Sequence, residues 1–458
     1  MLTEAIYRHL VIPAYESVYQ RRKTLHYWRD LERSQWLAGE ELESLQLAAL
    51  QRLLRHAFES CPYYRQEWQA AGLRMESVQS LVDFARWPVL GKPQIREHRQ
   101  AMRSERPAGR LIAKTTGGST GSPLSFDLDQ GSYERRNAAM LRGYTWAGAA
   151  LGTKQFYLWG VPLEKRSARQ VWKDRLFNTI QRRHIVNSFA LSDETVPQIL
   201  DELNRYRPDV VVAYTGALYQ FARGLAEQKL RPYSPRSLIV GAEQLHGFQR
   251  ELIESVFQAP VFETYGSREF MLIGAECSEH RGLHLTTEQL LVEILDDNGQ
   301  PTAAGQVGNV VITDLYNYGM PFVRYAIGDE AVAGFTRCVC GRGLPMLGKV
   351  SGRRLDALCT PDGRRVPGEF FPHLLKDYAA IRQFQVVQPA LDRLELRVVL
   401  APTWNEAQQQ HLLDQVARIM GPQVALQLQP VPAIELTRAG KHRVVVSQVA
   451  TAEGEVRA

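Results

Sequence analysis

Hydrophobic residues in the first hundred positions recur at the spacing of an amphipathic helix. Between positions 40 and 59, leucines three or four residues apart form one stripe with charged residues between them. Pro62, Pro88 and Pro93 interrupt the pattern further along. We therefore predict a helical opening segment over residues 1–110.

From about residue 110 to 350, short continuous apolar runs alternate with helical patterns. The runs occupy residues 156–160, 210–214, 238–242 and 261–265. Continuous apolar strands, each followed by a helix, predict a parallel sheet that is buried on both faces. Ligands of such sheets bind at the carboxyl ends of the strands. Gly241-Ala-Glu243 and Tyr265-Gly-Ser-Arg-Glu269 lie at two of these ends.

The pattern changes again in the last third of the chain. After about residue 284 we predict antiparallel strands over 290–295, 307–315 and 322–333. Beyond residue 352, alternating strands and a helix over 404–420 indicate a smaller α+β unit. The predicted fold is α/β: a large N-terminal domain (1–352) of parallel sheets with helices plus a β-rich subdomain, and a small mobile C-terminal domain (353–458).

Composition excludes several classes of function. The 458 residues carry a net charge of +6, a small excess that is poor evidence for nucleic-acid binding. No run of about 18 apolar residues predicts a membrane span, and the first residues lack the pattern of a signal peptide. An odd count of five cysteines argues against a disulfide framework. We expect a cytoplasmic protein that binds small molecules.

A loop rich in glycine and hydroxyl residues stands between the helical segment and the sheet. It runs from Lys114 through Thr116, Gly117, Gly118, Ser119, Thr120 and Gly121 to Leu124. Glycines let backbone N–H groups approach an anion closely, and the hydroxyls add further donors. The run lacks the Walker A and GxGxxG spacings. A phosphate-binding loop and an ordinary Ser/Gly turn both fit it when it is taken alone.

Two pairs of potential metal ligands lie far apart in the sequence. Cys277 and His280 are separated by two residues, and Cys338 and Cys340 by one. Cys₃His is an accepted ligand set for structural zinc, and we predict a structural zinc here. His284 is a rival for the histidine position, and the alternative is that the cysteines are small buried hydrophobic residues.

The order of the motifs resembles that of one enzyme superfamily. The Thr/Ser/Gly loop is followed by Gly241-Ala-Glu243, Tyr265-Gly-Ser-Arg-Glu269, Arg324-Tyr-Ala-Ile-Gly-Asp329, Gly352-Arg353 and Gly440-Lys441. This order resembles the adenylate-forming enzymes, and within them the phenylacetate–CoA ligase branch with its CapK-like members. The resemblance spans nearly the whole chain, and similar Cys/His pairs occur in this branch.

The resemblance implies an AMP-forming ligase that activates a carboxylic acid with Mg-ATP and passes the acyl group to CoA. Ser119, Thr120 and Gly121, with Thr116, Gly117 and Gly118, are expected to hold phosphates. Glu243 and Tyr265 are expected to frame the adenine, and Asp329 to accept the ribose hydroxyls. The other expected nucleotide-binding residues are Gly241, Ala242, Gly266, Ser267 and Arg353. Thr120 and Glu269 would place Mg²⁺, and Lys441 would stabilise the charge that develops during adenylation. The acid pocket is expected between residues 159–160, 214–215 and 241–242, whose aromatic walls suit an aryl or otherwise apolar acid.

Five points stay open at this stage. An amine is the alternative acceptor to CoA, and a non-catalytic nucleotide-binding descendant is the alternative to an enzyme. The alternative for Glu243 is that it only caps a helix. The loop lacks the lysine of many superfamily members, and residues 352–356 lack the family's paired acidic residues, so the hinge residue is unassigned. A homodimer is an open possibility.

Overall fold

The chain divides into two compact units in a computed structural model. The larger unit comprises Met1–Ile327 and Ala331–Val350, and the smaller comprises Gly328–Glu330 and Ser351–Ala458. The structure describes residues 2–106, 109–116, 124–160, 167–334, 337–353, 358–362, 365–366, 370–375, 378, 380–435 and 443–449.

The α-helices, in chain order, are α1 (Leu2–Ile6), α2 (Thr24–Ser34), α3 (Gly39–Ser60), α4 (Pro62–Ala70), α5 (Leu81–Phe84), α6 (Lys92–His98), α7 (Gln130–Trp146), α8 (Ala168–Ile180), α9 (Val196–Tyr206), α10 (Thr215–Glu227), α11 (Gly247–Phe257), α12 (Phe370–Leu375) and α13 (Glu406–Met420). Two stretches of π-helix, Tyr7–Val11 and Ala14–Tyr19, follow α1.

The strands are β1 (Ile112–Thr115), β2 (Ser125–Leu128), β3 (Gln155–Trp159), β4 (Arg183–Asn187), β5 (Val210–Tyr214), β6 (Ser237–Gly241), β7 (Val261–Ser267), β8 (Met271–Glu276), β9 (Leu283–Leu285), β10 (Leu290–Leu295), β11 (Val307–Asp314), β12 (Tyr325–Ala333), β13 (Met346–Arg353), β14 (Leu358–Cys359), β15 (Arg365–Val366), β16 (Ile381–Ala390), β17 (Arg393–Leu400), β18 (Ala425–Pro430) and β19 (Val445–Ser447).

Eleven of these strands form one continuous sheet with the order β10-β11-β12-β13-β9-β8-β7-β6-β5-β3-β4. The pairings β3–β4, β3–β5, β5–β6 and β6–β7 are parallel. Strand β8 is antiparallel to β7, and β9 is antiparallel to β8. The predicted combination of a parallel sheet, helices and a β-rich part is therefore confirmed.

The change from parallel to antiparallel pairing comes earlier than predicted. We expected it after residue 284, but β8 already turns back along β7 at Met271. The run 271–275 is as uniformly apolar as the parallel strands before it, because β8 is buried nearly throughout. Periodicity alone therefore gave no sign that the strand direction had changed.

Separate hydrophobic clusters cover the two ends of this sheet. One joins the leucines of α3 to the antiparallel part, with Leu50, Leu53 and Leu54 fully buried beside Phe322 and Tyr325. Another packs α9, α10 and α11 on the parallel strands. Strands β5 and β6 are buried along their whole length, which explains their continuous apolar sequences.

The smaller unit contains its own sheet and its own core. The strand order is β18-β17-β16-β19, with β16 and β17 antiparallel. Leu412, Val416 and Met420 of α13 are buried in this core beside Leu394 and Leu396 of β17. In the part of the chain described, no helix is both long and apolar enough to span a bilayer.

Candidate active site and metal centre

The carboxyl ends of β3, β5, β6 and β7 lie side by side along one edge of the sheet. Trp159 ends β3 and Tyr214 ends β5, and their ring centroids lie 4.0 Å apart. Gly241 ends β6 in register with Tyr214. The three segments that were expected to line the acid pocket are thus adjacent, with an aromatic pair at their centre.

The loop after β6 is fixed to the start of α10. The Glu243 carboxylate accepts a hydrogen bond from the Gly216 N–H at 2.6 Å, and the Thr215 hydroxyl donates to the Glu243 carbonyl at 3.0 Å. Glu243 therefore does cap a helix, as the alternative interpretation held. Ala242 has a φ of +69°, a conformation uncommon for a residue with a Cβ. This left-handed residue turns the chain so that Glu243 reaches the neighbouring helix.

Two glycines of the predicted site stand where no side chain fits. A Cβ at Gly241 would lie 2.5 Å from the Thr264 hydroxyl oxygen. A Cβ at Gly266 would lie 1.9 Å from the Met271 carbonyl oxygen, at an irregularity in the β7–β8 register. The glycines thus allow close backbone approach within the sheet edge.

The turn after β7 holds a buried carboxylate. Glu269 is 5% exposed, and its carboxylate accepts a hydrogen bond from the Tyr325 hydroxyl at 3.2 Å. Arg136 donates to the Glu269 carbonyl oxygen, and Ser267 accepts from the Phe270 N–H. Among the described residues, no Lys or Arg lies within ion-pair distance of the Glu269 carboxylate. A buried carboxylate without a cationic partner is unfavourable, so the site favours an added cation.

Sequence reasoning missed the ion pair that supports this turn. Arg136 of α7 contacts the Asp314 carboxylate at 2.5 Å, and both side chains are almost fully buried. Burial raises the pKa of Asp314 above its usual value, although Arg136 opposes this effect. The two residues are 178 positions apart. No local pattern could have paired them.

The base of the Thr/Ser/Gly loop is a closed hairpin between β1 and β2. The Leu124 N–H donates to the Thr116 hydroxyl at 2.9 Å, and the Thr116 N–H donates to the Leu124 carbonyl. Burial, followed by the nearby Arg268 and Arg136 guanidinium groups, lowers the pKa of Lys114. The base of the loop therefore lies beside the Glu269 turn, and the local charge is positive. The predicted residues Gly117, Gly118, Ser119, Thr120 and Gly121 lie outside the described residues.

The remaining predicted residues belong to the second half of the chain. Asp329 is half-buried in β12, within the Gly328–Glu330 stretch that groups with the smaller unit. Arg353 is the last residue of β13, and its side chain is outside the described part. Lys441 also lies outside the described residues. Their roles stay predictions.

A second buried carboxylate, Glu263 of β7, lies beside the Glu243 loop. The Leu245 N–H donates to it at 3.2 Å. Burial, with repulsion from Glu276, raises the pKa of Glu263 to about 7. Burial opposes ionisation of Glu276 as well, but hydrogen bonds from His280 and Arg250 hold the pKa of Glu276 below its usual range. One of the two neighbouring carboxylates thus holds a proton up to about neutral pH.

This raised pKa predicts a pH-dependent stability. The folded protein holds the Glu263 proton until about pH 7, whereas the unfolded chain releases it near pH 4.5. Stability from this group is complete below pH 4.5 and is lost as the pH rises through 7. Glutamine stays neutral at every pH, so Glu263→Gln avoids this loss. The change that it makes to the free energy of unfolding should be about 2 kcal/mol more stabilising at pH 8 than at pH 5. Urea unfolding at both pH values measures this, with the exposed Glu251→Gln as control; an equal effect at both pH values would contradict the prediction.

Three cysteines and one histidine converge at the junction of β8, β9 and the loop before β13. The potential ligand atoms of Cys277, His284, Cys338 and Cys340 all lie within 4.8 Å of one another. The Cys277 and Cys338 sulfurs are 3.8 Å apart, and the Cys340 sulfur is 3.3 Å from His284 Nε2. Tetrahedral zinc with Zn–S bonds of about 2.3 Å would separate two ligand sulfurs by about 3.8 Å. The donor set and its spacing therefore fit zinc.

The structure groups His284, the rival candidate, and not the predicted His280, with the three cysteines. His280 Nδ1 lies 3.2 Å from the Glu276 carboxylate, and its ring packs against Phe262. His284 takes the position instead, because β9 pairs with β13 and His284 lies opposite Met346.

The His284 ring is held in a form suited to metal binding. Burial lowers the pKa of His284 to about 4, so the ring is neutral at pH 7. Nδ1 donates to the Leu344 carbonyl, which leaves the Nε2 lone pair directed toward Cys340.

Comparisons of the sequence and of the structure with known proteins find relatives that agree with one another. The family model of the CapK C-terminal domain matches residues 358–448. A phenylacetate-coenzyme A ligase of Thermus thermophilus is 27% identical over 396 residues, which cover 83% of this chain and 86% of the relative. Protein CapK of Staphylococcus aureus is 21% identical over 330 residues, covering 71% and 70% of the two chains. A crystal structure of 2-hydroxyisobutyryl-CoA ligase with 2-HIB-AMP matches with a TM-score of 0.73 and 21% identity, covering 91% and 92%.

Proposed function

Because this chain belongs to the phenylacetate–CoA ligase and CapK-like branch of the adenylate-forming enzymes, we propose that it is an AMP-forming ligase. In the proposed reaction, a carboxylate oxygen of the acid attacks the α-phosphorus of ATP, and pyrophosphate leaves. The thiol of CoA then attacks the acyl carbon, and AMP leaves. We place this chemistry in the cytoplasm.

One observation carries the proposal: the Glu243 loop, the Glu269 turn and the base of the Thr/Ser/Gly loop meet at the edge of the larger unit's sheet. The positive charge of Lys114 and Arg268 suits a polyphosphate. Glu269 is a buried carboxylate that would help hold Mg²⁺, a cation that prefers oxygen ligands. Mg²⁺ bound there would neutralise part of the negative charge of the phosphates.

The other residues take the roles that the resemblance gives them. Ser119, Thr120 and Gly121 would hold phosphates, and Thr120 would share Mg²⁺ with Glu269. Glu243 and Tyr265 would border the adenine, and Asp329 would accept the ribose hydroxyls.

The acid is proposed to be aryl or otherwise apolar. The rings of Trp159 and Tyr214 contact each other in a tilted arrangement at the carboxyl ends of adjacent strands, next to Gly241. Aromatic rings offer a large apolar surface with a defined geometry for an aryl group. The chain length of the acid is left to experiment.

Acid-dependent pyrophosphate release tests the proposal. The purified chain is incubated with Mg-ATP and a panel of aryl and aliphatic acids, with and without CoA. Release that depends on one acid and gives an acyl-CoA product supports the ligase. An adenylate that reacts only with added amines would make the protein an amide synthetase. Bound ATP without pyrophosphate release for any acid would favour the non-catalytic alternative.

We also propose that Cys277, His284, Cys338 and Cys340 hold a structural zinc. Four protein ligands leave no open position for catalysis, and the cluster joins segments more than fifty residues apart. Zinc would therefore stabilise the junction of β8, β9 and β13.

Histidine substitutions separate the two candidate ligands of this zinc. We expect about one zinc per wild-type chain by mass spectrometry of the metal content. His284→Asn should lose the metal and lower the melting temperature by about 5 °C or more. His280→Asn is the matched control and should retain the zinc. If His284→Asn retained the zinc and His280→Asn lost it, the assignment of His284 as the fourth ligand would be overturned.

A further inference from the structure

The N-terminal segment and helix α8 form one surface of the larger unit. The rings of Tyr15 and Phe177 lie 6.2 Å apart, and the Arg182 guanidinium lies 5.2 Å from the centre of the Tyr7 ring. These contacts place the two segments side by side although they are about 150 residues apart. We call the exposed side chains of residues 6–23 and of helix α8 the N-terminal surface.

Helix α8 packs on the protein through half-buried side chains: Ile180 lies on the cluster of Ile12, Leu25 and Leu151, and Phe177 lies against Tyr15. None of the side chains described in this 13-residue helix is fully buried. Helices in proteins owe most of their stability to the burial of one face. A helix of this length whose inner face is only half-buried suggests that an external surface covers part of its outer face.

The exposed face is apolar at several positions. Trp172 and Leu176 are four residues apart and share one face of α8. The large apolar side chains that are at least 40% exposed on this surface are Ile6, Leu10, Val18, Tyr19, Trp172 and Leu176. A cluster of this kind marks an interaction site more often than an ordinary surface.

The two segments of this surface carry most of the chain's excess of positive charge. Residues 6–23 and 168–180 together hold seven basic and two acidic residues, a net charge of +5 out of the chain's +6. Arg8, Arg21, Arg169, Lys173 and Arg175 are exposed. The rest of the chain carries a net charge of only +1.

We infer that the N-terminal surface binds the anionic face of a lipid bilayer. Basic residues attract anionic headgroups, while tryptophan and leucine enter the boundary between headgroups and acyl chains. A second copy of the chain fits less well, because a symmetric interface would place two positively charged surfaces against each other. The inference is independent of which acid the enzyme activates.

Vesicle sedimentation tests the electrostatic half of the inference. The full chain should bind vesicles of equal parts phosphatidylglycerol and phosphatidylcholine, and binding should weaken as salt is raised. Vesicles of phosphatidylcholine alone should bind at least about tenfold more weakly. Arg169→Glu with Lys173→Glu should weaken binding to anionic vesicles by about tenfold or more. The control, Arg393→Glu with Arg418→Glu, makes the same charge change at exposed residues of the smaller unit and should bind like the wild type.

Fluorescence quenching tests the apolar half. Vesicles with brominated acyl chains should quench part of the wild-type tryptophan fluorescence. Trp172→Phe should still bind but lose that quenching, because phenylalanine keeps the apolar contact and removes the fluorophore. Trp36→Phe, which removes another exposed tryptophan, should leave the quenching unchanged.

Three results would overturn the inference. One is the absence of binding to anionic vesicles at low salt. Another is equal or tighter binding to soluble polyglutamate without acyl-chain quenching, which would indicate an acidic protein partner. The last is a wild-type dimer in light scattering that Trp172→Glu converts to monomer, with no vesicle binding by either.

Discussion

Glu269→Gln is expected to lower acid-dependent pyrophosphate release by about a hundredfold or more. The substitution keeps the size of the side chain and its ability to accept from the Tyr325 hydroxyl. It removes the negative charge, which among the described residues has no Lys or Arg partner and which we propose binds Mg²⁺. The effect should therefore appear as weakened use of Mg²⁺ rather than as unfolding.

A magnesium titration measures this directly. The variant should need a higher Mg²⁺ concentration for half-maximal release, and its melting temperature should stay near that of the wild type. Glu279→Gln removes an exposed carboxylate ten residues away and should behave as the wild type. A folded Glu269→Gln protein with the wild-type rate and magnesium dependence would remove Glu269 from the site.

Lys441→Ala is the second change for which we expect a large effect. The ammonium group is proposed to stabilise negative charge on the α-phosphate and carboxylate oxygens while the adenylate forms. Removing one such group from a water-poor site lowers a rate by about a hundredfold to a thousandfold. Lys441→Arg should keep more activity, because it keeps the charge.

The two half-reactions distinguish this role from a general loss of structure. Thioester formation from an acyl adenylate supplied to the enzyme should persist in Lys441→Ala within about a few fold, because the proposed role of Lys441 is confined to the adenylation step. Adenylation is followed by acid-dependent pyrophosphate release without CoA, and thioester formation by liquid chromatography of AMP and acyl-CoA. Lys173→Ala, at an exposed position of α8, is the control. Equal losses in both half-reactions would argue against a role specific to adenylation.

The sequence by itself determined most of the secondary structure and the order of the candidate site. The continuous apolar runs became β5 and β6 because strands buried on both faces leave no polar positions. The leucine stripe became α3, whose Leu50, Leu53 and Leu54 are fully buried. These features are local, so periodicity and turn residues were sufficient to predict them.

Only the tertiary structure decided which side chains meet. The spacing of Cys277 and His280 favoured His280, but the pairing of β9 with β13 brings His284 to the cysteines and leaves His280 beside Glu276. In the same way, Arg136 and Asp314 meet across 178 positions to support the Glu269 turn. Such contacts depend on strand order and burial, which are properties of the whole fold. Local sequence spacing cannot encode them, because residues that are neighbours in space here are distant along the chain.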